Sequence, residues 1–149
     1  MFESDKKLLT KKLSEFLTQR DTDLYRIMEF QLGIESSPDK NETNIRTDFQ
    51  LAEFVLEICE LFNGNKDVAI DFAISVILLE QFIRVHHDVQ DGNTESGDRP
   101  SLWWKWGPAH AINTGDGLHA LARLVLLQMN QEKHDPNFIM NAVRTIDLA

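Results

Sequence analysis

Asp88 and Asp91 stand three positions apart in a stretch of helical pattern, so both carboxylates fall on one helix face and can aim at a common cleft. Paired carboxylates hold a divalent cation, which can in turn bridge to phosphate oxygens. The competing reading is a solvated helix end in which Arg84 pairs with Asp88 at i,i+4. His86 and His87 precede the first of these aspartates. Neighbouring residues point about 100° apart on a helix, so a transition-metal site shared by both imidazoles and Asp91 requires an unwound backbone. Trp103, Trp104 and Trp106 form an aromatic cage or, as such clusters more often do, pack a loop onto the body of the protein. Asp116, after Gly115, either orients a ligand or makes a structural hydrogen bond. His110 and His119 fall on faces about 180° apart and do not share a ligand.

Helices must position these groups. Leu8, Leu9, Leu13, Phe16 and Leu17 recur at helical spacing between lysines, which predicts a helix over about 5–19. A second begins after Asp21 or Thr22 and stops at Gly33. The Ser-, Pro-, Asp- and Asn-rich stretch 35–43 reads as a loop. The pattern resumes at Thr47 with a wide apolar arc that ends at Asn63-Gly64. Residues 67–91 read as a central helix, apolar on most sides from Phe72 to Leu79. The polar stretch 91–100 closes it. A fifth helix runs over about 108–128, with Pro108 near its start and leucines from Leu118 onward that serve as core or as a subunit interface. Asp135-Pro136 opens a sixth, which reaches Ala149 without a cap and reads as cut. No strand alternation and no repeat is visible, so the class is all-α.

Composition narrows the partners. The net charge of the 149 residues is −9, and five of the fifteen basic side chains lie in the first twenty positions, against three of the 24 acidic ones. The remainder repels phosphate backbones, which disfavours nucleic acid. Divalent cations are the exception that lets such a chain hold a diphosphate. Cys59 is the only cysteine, which suits a reducing, cytoplasmic setting, and the charged first twelve residues lack a secretory apolar core. The longest apolar run, Phe72 to Leu79, is far short of the roughly 20 residues a membrane-spanning helix needs.

Between Leu78 and Leu127 several motifs follow one another: His87-Asp88-Val89-Gln90-Asp91, then Arg99-Pro100-Ser101, then Trp103 to Gly107, then Ala111-Ile112-Asn113-Thr114-Gly115-Asp116-Gly117-Leu118. In order and spacing this resembles the trans-isoprenyl diphosphate synthases. That family has a helix ending in Asp-Asp-x-x-Asp, a loop with an arginine pair and Arg-Pro-Thr, a Trp, a Gly, and an Ala-Ile-Asn-x-Gly-Asp-x-Leu helix. Tyr25 to Gly33 is similar to the stretch before the family's diphosphate loop, and Asn44-Ile45-Arg46 falls where Gly-Lys-Arg-x-Arg would lie. The resemblance runs from about Leu24 to the end. It implies an incomplete helical bundle of the isoprenoid-synthase type, about six helices in one domain over 1–149, equivalent to the N-terminal half of a polyprenyl synthetase.

The implied chemistry is ionisation of an allylic diphosphate, attack by isopentenyl diphosphate, and neutralisation of the leaving diphosphate by Mg²⁺ on carboxylates. Carried over residue by residue, the metal positions are His87, Asp88 and Asp91, and the diphosphate contacts are Arg46 and Arg99. The departures weigh as heavily. His87 replaces the first aspartate and is a poor Mg²⁺ ligand. Ser96 and Gly97 occupy the places of the arginine pair. Thr43 and Asn44 stand for a lysine and an arginine, and Glu80 stands for a histidine. The chain also stops before the family's Lys-Thr, Phe-Gln and second aspartate-rich motifs. The expectation is a protein of prenyltransferase lineage that cannot alone condense prenyl diphosphates. The alternatives are a non-catalytic subunit that pairs with itself or with a full-length synthase, and one half of a split prenyltransferase.

Overall fold

The computed structural model describes residues 3–18, 21–36, 43–44, 47–129 and 135–148. The described residues form seven helices and two short hairpins, an all-α architecture. The first helix, α1 (Glu3–Thr18), follows its four-residue leucine spacing: Leu9, Leu13 and Leu17 are all fully buried. The helix α2 (Asp23–Leu32) ends where the sequence places the stop. Gly33 adopts φ 66°, its N–H reaches Phe30 O, and the N–H of Ile34 reaches Glu29 O at 2.9 Å, a closure that satisfies the last carbonyls.

The third helix, α3 (Gln50–Leu61), starts three residues after the apolar pattern resumes. The Asp48 carboxylate accepts from Gln50 N, and the Thr47 hydroxyl is turned back to donate to Leu32 O at 2.8 Å. Periodicity alone does not reveal such a side-chain tether. The long helix α4 (Lys66–Asp91) is capped by Asn65, whose side chain accepts from Asp67 N, and terminated by Gly92 at φ 70°. Its buried residues, among them Ile70, Ile74, Ile77, Leu78, Gln81, Val85 and Asp88, form one face along its whole length. It is the central helix, with α3 on one side and α6 (Pro108–Leu127) on the other. Truncating Ile77 or Leu78 to alanine there would cost about 2–5 kcal/mol.

Three elements depart from the sequence reading. The tryptophan-rich segment is a one-and-a-half-turn helix, α5 (Leu102–Trp106), too short for a periodic signal, and it raises the expected six helices to seven. Both polar stretches fold back on themselves. Glu35–Ser36 (β1) pairs with Thr43–Asn44 (β2), and Glu95–Ser96 (β3) pairs antiparallel with Arg99–Pro100 (β4) across a two-residue connection in which Gly97 takes φ 68°. Two-residue strands carry no alternation to read. The last helix, α7 (Pro136–Leu148), packs Ile139 and Ala142 against Leu126 and Met129 at the end of α6. The leucines of α6 are mainly core: Leu118 and Leu126 are fully buried and Leu121 nearly so.

Candidate functional site

The motif-bearing region is a corner built from the C-terminal ends of α2 and α4, the hairpin β3–β4, and α5. The hairpin is folded onto the helix ends by main-chain and side-chain bonds. Asn93 N donates to Asp88 O, Ser101 N donates to Thr94 O, and Trp103 Nε1 donates to Asn93 O at 2.7 Å. Trp103 therefore pins the loop, and Trp106 packs edge-on to Phe30 at 4.8 Å between ring centres. Trp104 is the exposed member of the three. Of the two readings of this cluster, packing describes Trp103 and Trp106.

Asp88 points inward and is only 7% exposed. Its Oδ1 accepts a long hydrogen bond from Asn93 Nδ2 at 3.4 Å, and its buried Oδ2 has no hydrogen-bond partner. The expected pairing with Arg84 does not occur. Arg84 turns back instead to Glu80 at 3.0 Å, and glutamate N-terminal to the cation is the favoured order for an i,i+4 pair. Asp91 and His87 are exposed. Among the described residues, no three His, Cys, Asp or Glu side chains converge as a metal cage. The donor set nonetheless fits Mg²⁺ in part. This ion is held by one or two carboxylates, the rest of its shell being water and phosphate. An orphaned buried carboxylate oxygen at Asp88 and the carboxylate of Asp91 supply such oxygens, whereas the His87 imidazole does not suit it.

The cations of the corner are turned to the protein itself. The Arg99 guanidinium donates through Nη1 to Phe30 O and through Nη2 to Gln31 O at 3.1 Å, and lies over the Phe30 ring at 5.3 Å. Lys105 Nζ sits 3.8 Å from the Phe30 ring centre and 4.3 Å from that of Trp106. Arg46 lies outside the described residues. Beside Phe30, burial pushes the Glu29 carboxyl above its ordinary value, against the opposing pull of Arg26. Beneath the corner, Gln31 Nε2 donates to Gln81 Oε1 at 3.0 Å, a buried link between α2 and α4.

Sequence reasoning missed the seam that carries the second half of the motif. His86 on α4 reaches across to α6, with Nε2 3.4 Å from Ile112 O and 3.5 Å from Asp116 Oδ1. A Cβ on Gly115 would stand 2.4 Å from that nitrogen, so the glycine is what lets the imidazole in. Asp116 itself is exposed, and its approach to the imidazole is an ion pair only when the ring is protonated. The Phe82 ring lies edge-on to His86 and stacks on His119 at 4.9 Å, and His119 faces Asp147 of α7 at 3.9 Å. The available signal was the pair of glycines, Gly115 and Gly117, in the interior of a helix. Two cavities of about 620 and 560 Å³ open elsewhere, along α3, and none of the corner residues lines them.

Comparison with known proteins agrees with this layout. No family model matches the chain. It is 28% identical over 120 residues to a (2E,6E)-farnesyl diphosphate synthase of Mycobacterium tuberculosis, which covers 80% of this chain and 33% of that one. It is 36% identical over 69 residues to a geranylgeranyl diphosphate synthase of the same organism, covering 46% and 20%. The chain therefore spans about a third or less of these relatives' length. Among solved structures it is similar to a geranylgeranyl pyrophosphate synthetase from the archaeon Geoglobus acetivorans, with a TM-score of 0.80 and 22% identity over 98% of this chain and 44% of that one. It is also similar to a polyprenyl synthetase from Streptomyces coelicolor, with a TM-score of 0.68 and 23% identity over 95% and 43%.

Proposed function

Because this chain belongs to the polyprenyl synthetase family of trans-isoprenyl diphosphate synthases, we propose that it keeps the family's bundle and a residual cation position at Asp88 and Asp91 but does not by itself condense an allylic diphosphate with isopentenyl diphosphate. The observation that carries this reading is the placement of positive charge at the corner. The guanidinium of Arg99 is bonded to two carbonyls of α2, and Ser96 and Gly97 stand where the family's arginine pair would be. Glu80, at a family histidine position, adds negative charge that its bond to Arg84 only partly offsets. Mg²⁺ bound at the two aspartates would neutralise diphosphate oxygens. Asp88 would contribute its unpartnered oxygen and Asp91 a solvent-facing one, with Asn93 orienting the former. Arg99 would reach a diphosphate only by leaving the α2 carbonyls. Arg46 is the second candidate contact. The ligand class is a prenyl diphosphate, and the setting is cytoplasmic. No described helix is long and apolar enough to cross a membrane.

A condensation assay with purified protein, Mg²⁺, radiolabelled isopentenyl diphosphate and allylic diphosphates is expected to give no product above a no-protein blank. Robust product would overturn the reading. Titration with inorganic pyrophosphate in Mg²⁺ is expected to show weak binding that tightens in the combined variant Glu80→His, His87→Asp, Ser96→Arg. An unchanged isotherm would show that these positions do not face the anion.

A second reading, a subunit that pairs with itself or with a full-length synthase, or one half of a split enzyme, is favoured by the exposed apolar side chains of α7, Met140 at 59% and Leu148 at 75%. Light scattering that shows a stable monomer, together with no gain of activity on mixing with a synthase, would count against it.

A further inference from the structure

The third helix is apolar on two sides. Ala52 and Leu56 are buried against the body, while Leu51, Phe54, Ile58, Leu61 and Phe62 form a separate stripe that faces solvent. Their spacing of three, four, three and one places all five within about 100° of arc on the outer face. Phe54 is 60% exposed, Leu61 75% and Phe62 77%. A stripe of this size and continuity is not what a helix with only one buried face needs. One edge runs into the cavity of about 620 Å³, where Val55 and Ile58 of α3 face Phe72 of α4 and Phe138 of α7. The other edge is acidic. Glu57 borders Leu61, and beyond it lies the second cavity, lined by Asp5, Glu53, Glu57 and Glu60. Among the described residues lining it, the one cation, Lys66, is held by Asp5 at 2.6 Å, a hydrogen bond that raises the pKa of the lysine. The helix itself carries three glutamates and no basic residue.

We infer that the outer face of α3 is a docking surface for an amphipathic helix of a partner polypeptide, one whose apolar stripe is flanked by lysine or arginine. Leucine-type anchors at i, i+3, i+4 and i+7 would lie on Phe54, Ile58 and Leu61 and reach into the groove beside Phe138, and the basic flank would lie over Glu57 and the acidic cavity. Charge selects this occupant over two others. A second copy docked face to face would bring the glutamates of two chains of net charge −9 together. An anionic membrane surface is repelled by the same edge. The surface is on a different helix from the aspartate-bearing corner, and the inference does not depend on whether the corner binds diphosphate.

The test titrates the whole chain with two synthetic helical peptides that share a leucine stripe, one flanked by lysine and one by glutamate, and runs light scattering and flotation with phosphatidylserine vesicles alongside. The lysine peptide is expected to bind at least tenfold tighter at low salt, with the difference collapsing near 1 M salt, where the screening length is about 3 Å. Phe54→Gln and Leu61→Gln, both at exposed positions, are expected to weaken it at least tenfold, and Glu57→Lys to shift preference toward the glutamate peptide. Ile112→Gln on α6 should leave binding unchanged, with circular dichroism confirming that every variant is folded. Equal binding of the two peptides, or indifference to the α3 substitutions, overturns the inference. So does a homodimer that the α3 substitutions dissolve, which assigns the face to a second copy, or vesicle binding lost in the same variants, which assigns it to lipid.

Discussion

Along the seam between α4 and α6, the His86 and Val85 side chains reach Gly115, and His86 fills the space the glycine leaves. At the corner where α2 meets the β3–β4 hairpin, the same chain turns its arginine and lysine onto its own carbonyls and rings. The seam holds matching positions that pack: Ala111, Gly115 and Leu118 are buried, and Asp116 lies 3.5 Å from His86. The corner holds both matches to the family pattern, among them Asp88, Asp91, Arg99 and Trp103, and three of the departures, with His87 and Gly97 exposed and Ser96 partly so. The seam is thus set by packing, while the corner joins side chains that hold the fold, such as Arg99 and Trp103, to exposed positions that do not. The first set can stay intact while His87, Ser96 and Gly97 change, because exposed or half-exposed positions without buried partners cost the fold little when substituted.

Perturbing each region should break or sharpen this contrast. The largest effect is expected at Arg99, the corner cation that donates to main-chain carbonyls. Arg99→Ala leaves two helix-end carbonyls without their charged donor and should cost about 1.5–3 kcal/mol in urea unfolding, since bonds to charged groups are worth that much. Arg99→Lys should not restore it, because an ammonium does not reproduce the planar fork. At the seam, Gly115→Ala forces the His86 ring out and should cost about 1–3 kcal/mol, as overpacking does. Adding His86→Ala should recover part of that loss. Gly117→Ala is the comparison: its Cβ clashes with the flexible end of Met28 and makes only an ordinary contact with Leu24, so the helical gain of about 0.5–1 kcal/mol for alanine over glycine should largely cancel the clash. Equal losses at the two glycines would mean that His86 does not define the seam.

Asp88→Asn should stabilise by about 0.3–1 kcal/mol, because it removes a negative charge from the last turn of a helix. A loss of stability would show that the carboxylate is bonded in a way that serves the fold. The smallest effect is expected at Glu29. Its carboxyl is raised by burial, so the stability tied to its protonated form is present below the ordinary glutamate value of about 4.3 and lost as pH rises through the raised one. Glu29→Gln should therefore increase Tm at pH 7 and leave it unchanged at pH 4. A pH-independent difference would contradict the sign.

Much of this was legible in the sequence because it rests on local rules. The helix stop at Gly33, the end of α4 at the polar stretch after Asp91 and the central character of α4 follow from glycine's left-handed backbone, a run of polar residues and an apolar run, whereas the Asn65 cap and the Gly92 closure were not read from the sequence. The order of motifs between Leu78 and Leu127 pointed to the fold. The partner choices of long side chains were not legible. Arg84 had carboxylates at both i−4 and i+4, and Arg99 crosses to a helix that no pattern places beside it. Nor could periodicity show that the wide apolar arc of α3 would be divided between core and solvent, since both halves read alike.

The bonds from Arg99 to Phe30 and Gln31 span 69 and 68 positions, which bears on how the polypeptide is made. At roughly 5–20 residues per second, a ribosome delivers this side chain several seconds after the second helix has emerged. During that interval the helix end must rely on its own glycine closure and on water. The corner is thus finished only once residue 99 has been made, and a pause anywhere before it would leave the helix end open to whatever chaperone or neighbouring chain is at hand.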